Sequence, residues 1–467
     1  MMNTSSREKL LPAKLFCLTS VMRPVKILLA FAAMIGVVSV AISTGSISVV
    51  CFCFLFFLIG SALALWIGKR SSRVLSLFIT VFLLNVCFTV LVYYYSDYLY
   101  GAPYYKGGSD DLWYEEQARL IASRLAPFDY GSISDLVHSN HYGYFYVLCL
   151  IHRLGGVLGG AHTLNPRLLN SLCLGILSVL IFRLGKACSY SSGVSLCAAY
   201  ASGLFPLISY WGAFSVRDIL IALLLVACAY LFASLDARLP IRSTVRLGLL
   251  ITLLRVLWGF RSYNVILFAF LVAALIGWKM WHRSRRFGRL MALLFTATLL
   301  LLLWGLSGDY VLHVVNRMGV YQAGRLARAA PDGLSRAVFT APVPYTYLLR
   351  VCYALISPLP VPTGNLAQLY VNFGTVIWLF LLPFVFLRIL PALHNQSQRL
   401  IVLMFLGHFL AVSVIEFISR HRLLAYPFAF LLAFDGLDRY ESQVSQVSLV
   451  VGWLGGVLAL LYVVLKV

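Results

Sequence analysis

Apolar runs of near-spanning length, separated by short polar turns, recur along this chain from Ile27 to Leu465. A helix crosses the ~30 Å hydrocarbon core of a bilayer with about 20 mainly apolar residues. On that measure the pattern predicts an all-α bundle of about thirteen spans, at 27–45, 49–68, 74–95, 168–186, 193–212, 217–235, 245–259, 263–281, 290–306, 367–388, 400–418, 423–437 and 447–465. Two further apolar stretches, 143–160 and 346–361, are ambiguous by length. The second carries Pro358, Pro360 and Pro362, which suit a broken or re-entrant segment better than a regular span.

Composition removes the soluble alternative. Of 467 residues, 61% are hydrophobic and 11% charged, and the 16 acidic residues are too few to solvate so much apolar surface. The formal charge of +21 raises nucleic acid as a partner. Its basic residues sit instead in short clusters between spans, without a recognition motif, which is the pattern of loops on an anionic leaflet. Nucleic acid is therefore not expected. The ten cysteines form no C-x-x-C pair, and most lie within apolar runs as small hydrophobes. The basic N-terminus followed by an apolar run reads as a retained signal anchor.

Basic residues also set the expected orientation, because cytoplasmic loops carry the excess of Lys and Arg. With the N-terminus inside, Lys69, Arg70 and Arg73 fall inside, as do Arg183 and Lys186, Arg238 to Arg246, and the cluster from Lys279 to Arg289. This holds only if 143–160 lies on the outer surface rather than spanning. The same test makes 346–361 interfacial. The expected organisation is then N-terminal spans (1–95), a first outer loop with a surface helix (96–166), a central bundle (167–306), an outer loop with a re-entrant segment (307–366) and C-terminal spans (367–467). The polar segments large enough to hold chemistry all open outward, as they would from a bacterial cytoplasmic membrane toward the periplasm.

The first outer loop reads Gly107-Gly108-Ser109-Asp110-Asp111-Leu112-Trp113-Tyr114-Glu115-Glu116. A carboxylate held at the membrane surface can take a proton from an acceptor hydroxyl or amine. Two adjacent carboxylates could instead hold a divalent cation, with Asp218 as a third ligand. They could equally be the solvated first turn of a surface helix, where negative charge suits the helix dipole. No cofactor is required by the pattern.

Asp110-Asp111-x-x-Tyr114 resembles the Asp-Glu-x-x-Tyr loop of the glycosyltransferase C superfamily, with Asp111 standing where the family has Glu. The nearest branch by layout is the protein O-mannosyltransferase and lipid A aminoarabinose transferase group. The order of later motifs is similar too: Asn165-Pro166-Arg167 opening a span, Arg217-Asp218 at the second outer turn, and Arg420-His421-Arg422 before Tyr426-Pro427. The Lys-Pro-Pro stretch of the aminoarabinose branch has no counterpart near His138–Tyr146, and three spans precede the loop where the family has one. The resemblance implies an inverting transfer of a sugar from a polyprenyl-phosphate donor to an extracytoplasmic glycan, glycolipid or protein, with Asp110 as the catalytic carboxylate. A departing lipid phosphate needs fixed cations, and Arg binds phosphate bidentately. Arg255, Arg261, Arg420 and Arg422 are the candidates, with His421 beside them and Tyr114, Arg217 and Asp218 in support. Arg255 is singled out because it falls within an apolar run, where a charge is expected to face the protein interior or a polar cavity. Snorkelling anchors and a local Arg217–Asp218 pair remain the plainer readings. Two other activities fit the outline: a polysaccharide polymerase or O-antigen-ligase-like enzyme with a lipid-diphosphate donor, and a transporter or flippase. No internal repeat supports the latter.

Overall fold

The computed structural model describes residues 10–124, 142–235, 240–283, 345–357, 365–415 and 419–446, with Ala297, Val338 and Thr340. Among the described residues the chain is all helix and turn, with no strand. It divides into two compact units, Met1–Arg261 and Ser262–Val467.

The first unit is built around α6 (Leu164–Ala187), which is buried along nearly its whole length. Packed on it are α2 (Ser48–Ile67), α3 (Ser72–Tyr100), α7 (Ser192–Leu204) and α9 (Asp218–Ala233), while α1 (Leu10–Thr44) lies on α2 and α3. Close approach is made possible by glycine. A Cβ at Gly60 would stand 2.1 Å from the Phe78 ring, and one at Gly175 would stand 2.7 Å from it, so both flank a ring that is itself fully buried. Two short helices ride on one end of this bundle. They are α4 (Asp110–Arg124) and α5 (Tyr142–Val157), joined where Arg153 donates twice to the Ala122 carbonyl and the Cys149 thiol to that of Ala118. The stretch 143–160 is largely helical, as α5.

The ends of this unit differ in charge. At one, Asn170 of α6 donates to the Phe214 carbonyl, Ser46 to that of Gly160, and Asn165 to the Ser48 hydroxyl. All six acidic residues described in the unit lie there: Asp97, Asp110, Asp111, Glu115, Glu116 and Asp218. The opposite end carries Lys69, Arg70, Arg73 and Lys186, the last bonded to Ser192.

In the second unit, α12 (Leu366–His394), α13 (Arg399–Ile415) and α14 (Tyr426–Arg439) pack together, and α11 (Tyr345–Ile356) leans on α13. Burying a charge requires a partner. Arg388 of α12 accordingly donates to Asp435 of α14 at 2.6 Å and to Gln398 at 3.1 Å. Trp378 of α12 meets Tyr426 edge-on and donates to the Leu355 carbonyl of α11.

Among the described residues six helices are long and apolar enough to cross a membrane, or seven counting the bent pair α7 and α8 (Pro206–Gly212). That is fewer than the expected thirteen. Pro206 interrupts 193–212, since its ring removes a donor and clashes with the preceding turn. The expected spans 245–259 and 263–281 are two helical stretches of α10 (Pro240–Arg283), which meet at extended backbone at Arg261, inside the turn foreseen between them. Three helices (α9, α11 and α13) are apolar but short. The expected spans 290–306 and 447–465 lie outside the described residues.

Candidate functional site

The site begins where α3 stops. Gly101 adopts a left-handed conformation that L side chains avoid, its N–H caps the Asp97 carbonyl, and the chain turns through Pro103–Gly108 into α4. Within that turn Lys106, Gly107 and Gly108 all have positive φ, so the reversal depends on the two glycines. The turn delivers the Tyr105 N–H to Asp111 Oδ2 at 2.9 Å. It also delivers the Pro103 carbonyl to Arg167 Nη2 at 2.6 Å.

On α4, Asp111, Tyr114, Glu115 and Ala118 occupy one buried face, the i, i+3, i+4, i+7 spacing of a helix. Glu115 is 0% exposed. It accepts from Thr163 at 2.7 Å, Tyr104 at 3.2 Å and Arg119 at 3.4 Å, and also from Ser215. Arg167, also 0% exposed, enters from the first turn of α6, bonds Thr163 at 3.2 Å and lies over the Tyr104 and Phe214 rings. Buried Arg217 sits 5.7 Å over the Tyr114 ring, and the next residue, Asp218, pairs with Arg261 at 3.2 Å. Tyr144 of α5 closes the group, edge-on to Tyr114. Three carboxylates and three guanidinium groups are thus buried together at the end of the first unit that holds its described acidic residues.

Burial governs their protonation. It raises the Asp111 carboxyl above the ordinary aspartate range, against the Tyr105 N–H, the charge of Arg167 and the N–H groups of Leu112 and Asp111 itself, which pull it down. Glu115 is raised by burial in the same way, opposed by Arg167 and by the Ser215 and Thr163 hydroxyls. Tyr144 is pushed well up by burial and by the charges of Glu115, Asp218 and Asp111. Nearby His162 is pushed down to about 4, so its imidazole is neutral at pH 7, and its Nδ1 accepts the Leu164 N–H.

The structure therefore brings together Asp111, Tyr114, Arg217, Asp218 and Arg261 from the residues foreseen. Asp110 opens α4 beside them but is half-buried. Arg255 is a correction. Its side chain is exposed on α10, because Ile251, Thr252, Arg255 and Val256 form the outward stripe while Leu257, Gly259 and Phe260 face inward. Among the described residues no three His, Cys, Asp or Glu side chains converge to hold a metal, and Asp218 is engaged by Arg261.

Arg420, His421 and Arg422 belong to the second unit. They are buried in a 3-10 turn, Ser419–Leu424, from which Arg422 donates to the Ala354 carbonyl of α11. Arg350, one turn before Ala354 on the same buried face of α11, was not foreseen. Across 338–434 the only acidic residue is Glu416, outside the described residues, so this region is strongly cationic. The basic loop residues 307–337 also lie outside the described residues.

Glu115 and Arg167 are the residues sequence reasoning missed as site members. Both had a signal: Glu115 follows Asp111 by one helical turn, and Arg167 is a charge opening an apolar run. No protein-family model, curated protein or solved structure matches the chain. Fold and site together define a class, a multi-pass helical membrane protein with a buried Arg–carboxylate cluster at one end.

Proposed function

We propose that this protein is a glycosyltransferase that moves one sugar from a polyprenyl-phosphate donor to an acceptor on the outer side of a bacterial cytoplasmic membrane. The observation that carries the reading is the burial of Asp111, Glu115, Asp218, Arg167, Arg217 and Arg261 in one cluster at the end of a membrane bundle. Six ionisable groups at such a position are costly, and ionisable residues retained within membrane proteins mark sites of function. The orientation follows from charge: the opposite end of this unit carries Lys69, Arg70, Arg73 and Lys186, the cytoplasmic signature.

The Asp110–Asp111 pair supplies the base for the acceptor. Attack on the anomeric carbon from the face opposite the phosphate inverts it, and the lipid phosphate leaves with the bonding electrons. Arg217 is the fixed cation for that charge in the first unit, with Arg261 beside it paired to Asp218, and such a charge is worth most in a site from which water is excluded. The cationic 419–424 turn with Arg350 has matching chemistry for a lipid phosphate in the second unit.

Purified protein in nanodiscs, given a panel of polyprenyl-phosphate monosaccharides and lipid-diphosphate oligosaccharides, tests the assignment. Transfer from a monophosphate donor is expected, and replacing both Asp110 and Asp111 with Asn abolishes it while donor binding persists. Transfer from diphosphate donors alone refutes the reading in favour of a polymerase. A reporter after Tyr104 should appear outside and one after Arg285 inside.

A further inference from the structure

Two buried groups at the head of the cluster have polar atoms left over. Asp111 uses Oδ2 for the Tyr105 N–H, while its Oδ1 is buried without a hydrogen-bond partner. Arg167 uses Nη2 for Pro103 and Thr163, while its Nε and Nη1 are buried without one. Both side chains are almost wholly shielded, at 1% and 0% exposure. The three-residue stretch Pro103–Tyr105 holds both, and the charge of Arg167 reaches the Asp111 carboxyl. A buried acceptor or donor left unmet costs about 1–3 kcal/mol, more when charged, so these atoms favour any group that meets them.

We propose that Asp111 and Arg167 together receive the nucleophilic hydroxyl of the acceptor, so that Asp111 rather than Asp110 takes its proton and the acceptor is an alcohol rather than an amine. This rests on the glycosyltransferase reading above and narrows it. A group that donated to Oδ1 and accepted from an Arg167 N–H would satisfy both side chains. A hydroxyl does both and keeps a second lone pair for attack. An amine has one lone pair, and spends it on the Arg. In the step itself the acceptor O–H bond breaks and its proton goes to Asp111 Oδ1. The oxygen bonds to the anomeric carbon, and the carbon–oxygen bond to phosphate breaks with its electron pair leaving on polyprenyl phosphate. Asp110, half-buried at the start of α4, faces a wetter environment.

The test uses the full chain in nanodiscs, a polyprenyl-phosphate hexose that supports turnover, and octyl glycoside acceptors bearing either a hydroxyl or an amine at the same carbon. Expected are transfer to the hydroxyl acceptor and none to the amine, and a kcat loss of about 10²–10⁴-fold in Asp111→Asn, the usual contribution of a general base. Arg167→Lys should raise the acceptor KM by roughly tenfold or more, the loss of a charged hydrogen bond, with donor KM unmoved. The acid limb of the wild-type pH profile should persist in Asp110→Asn, a readout independent of whether Asp111→Asn folds. Loss of that limb in Asp110→Asn, or equal use of the amine acceptor, overturns the inference while leaving sugar transfer standing. So does an Arg167→Lys variant altered in thermal stability but not in kinetics, the signature of atoms satisfied by structural water. Absence of transfer from any lipid-phosphate sugar overturns both readings.

Discussion

Glu115→Ala is the sharpest structural perturbation of this protein, because one side chain ties α4 to three other segments. Its carboxylate accepts from Thr163 at 2.7 Å before α6, Tyr104 at 3.2 Å in the turn after α3, and Ser215 before α9. Alanine leaves these hydroxyls buried without their acceptor. At about 1–3 kcal/mol for each stranded group, with some rearrangement among them, the loss is about 3–5 kcal/mol. For a unit of this size each kcal/mol moves the midpoint by about 2–4 °C, so thermal unfolding in detergent should shift down by roughly 6–20 °C. Glu115→Gln keeps an acceptor oxygen and the volume, and should cost less than half as much. The two also separate in pH. Burial raises the folded pKa of Glu115 above its unfolded value, so its protonation stabilises the fold below the ordinary glutamate range. That contribution is lost as pH rises through the raised value, a slope the Gln variant lacks. A Glu115→Ala midpoint within about 2 °C of wild type would refute the network as a structural tie.

Transfer activity should fall as pH drops through the raised pKa of Asp111, because only the carboxylate can accept a proton. The limb should lie above the ~3.9 of a free aspartate, and one at or below it contradicts the burial argument. Gly60→Ala places a methyl 2.1 Å from the Phe78 ring and 2.7 Å from Leu172, in a packed core. An overpacking loss of about 1–3 kcal/mol is expected in detergent unfolding, and an unchanged midpoint would show that α2 and α3 are not packed this way. Asp435→Ala strands the buried Arg388, and a loss of about 3–5 kcal/mol should be restored in large part by adding Arg388→Met. Failure of the second change to rescue would argue against the pair.

What was legible in the chain follows from what generates each feature. Membrane helices such as α2, α3 and α6 announce themselves through uninterrupted apolar length, a property of local sequence alone. The break near Arg261 was visible because polar residues cluster at 258–263 between apolar runs. Pro206 was visible too, yet its effect on the 193–212 span depends on how neighbours accommodate the lost hydrogen bond, which no local pattern states. Asp111, Arg217 and Asp218 could be picked out as rare charges beside spans. Glu115 was not singled out because Asp110-Asp111 and Glu115-Glu116 together suit a solvated helix surface, and only the packing of α4 against the bundle end separates the buried Asp111–Glu115 face from Glu116. Arg255 misled for the converse reason: an arginine in an apolar run turns inward only when a polar site lies on that side of its helix.

The lipid released on turnover tests the central claim most directly. Purified protein supplied with a polyprenyl-phosphate sugar and a hydroxyl acceptor should release one polyprenyl monophosphate per sugar transferred, with the anomeric configuration of the product opposite to that of the donor. Release of a lipid diphosphate, retention of configuration, or movement of intact donor across the bilayer without product would contradict it.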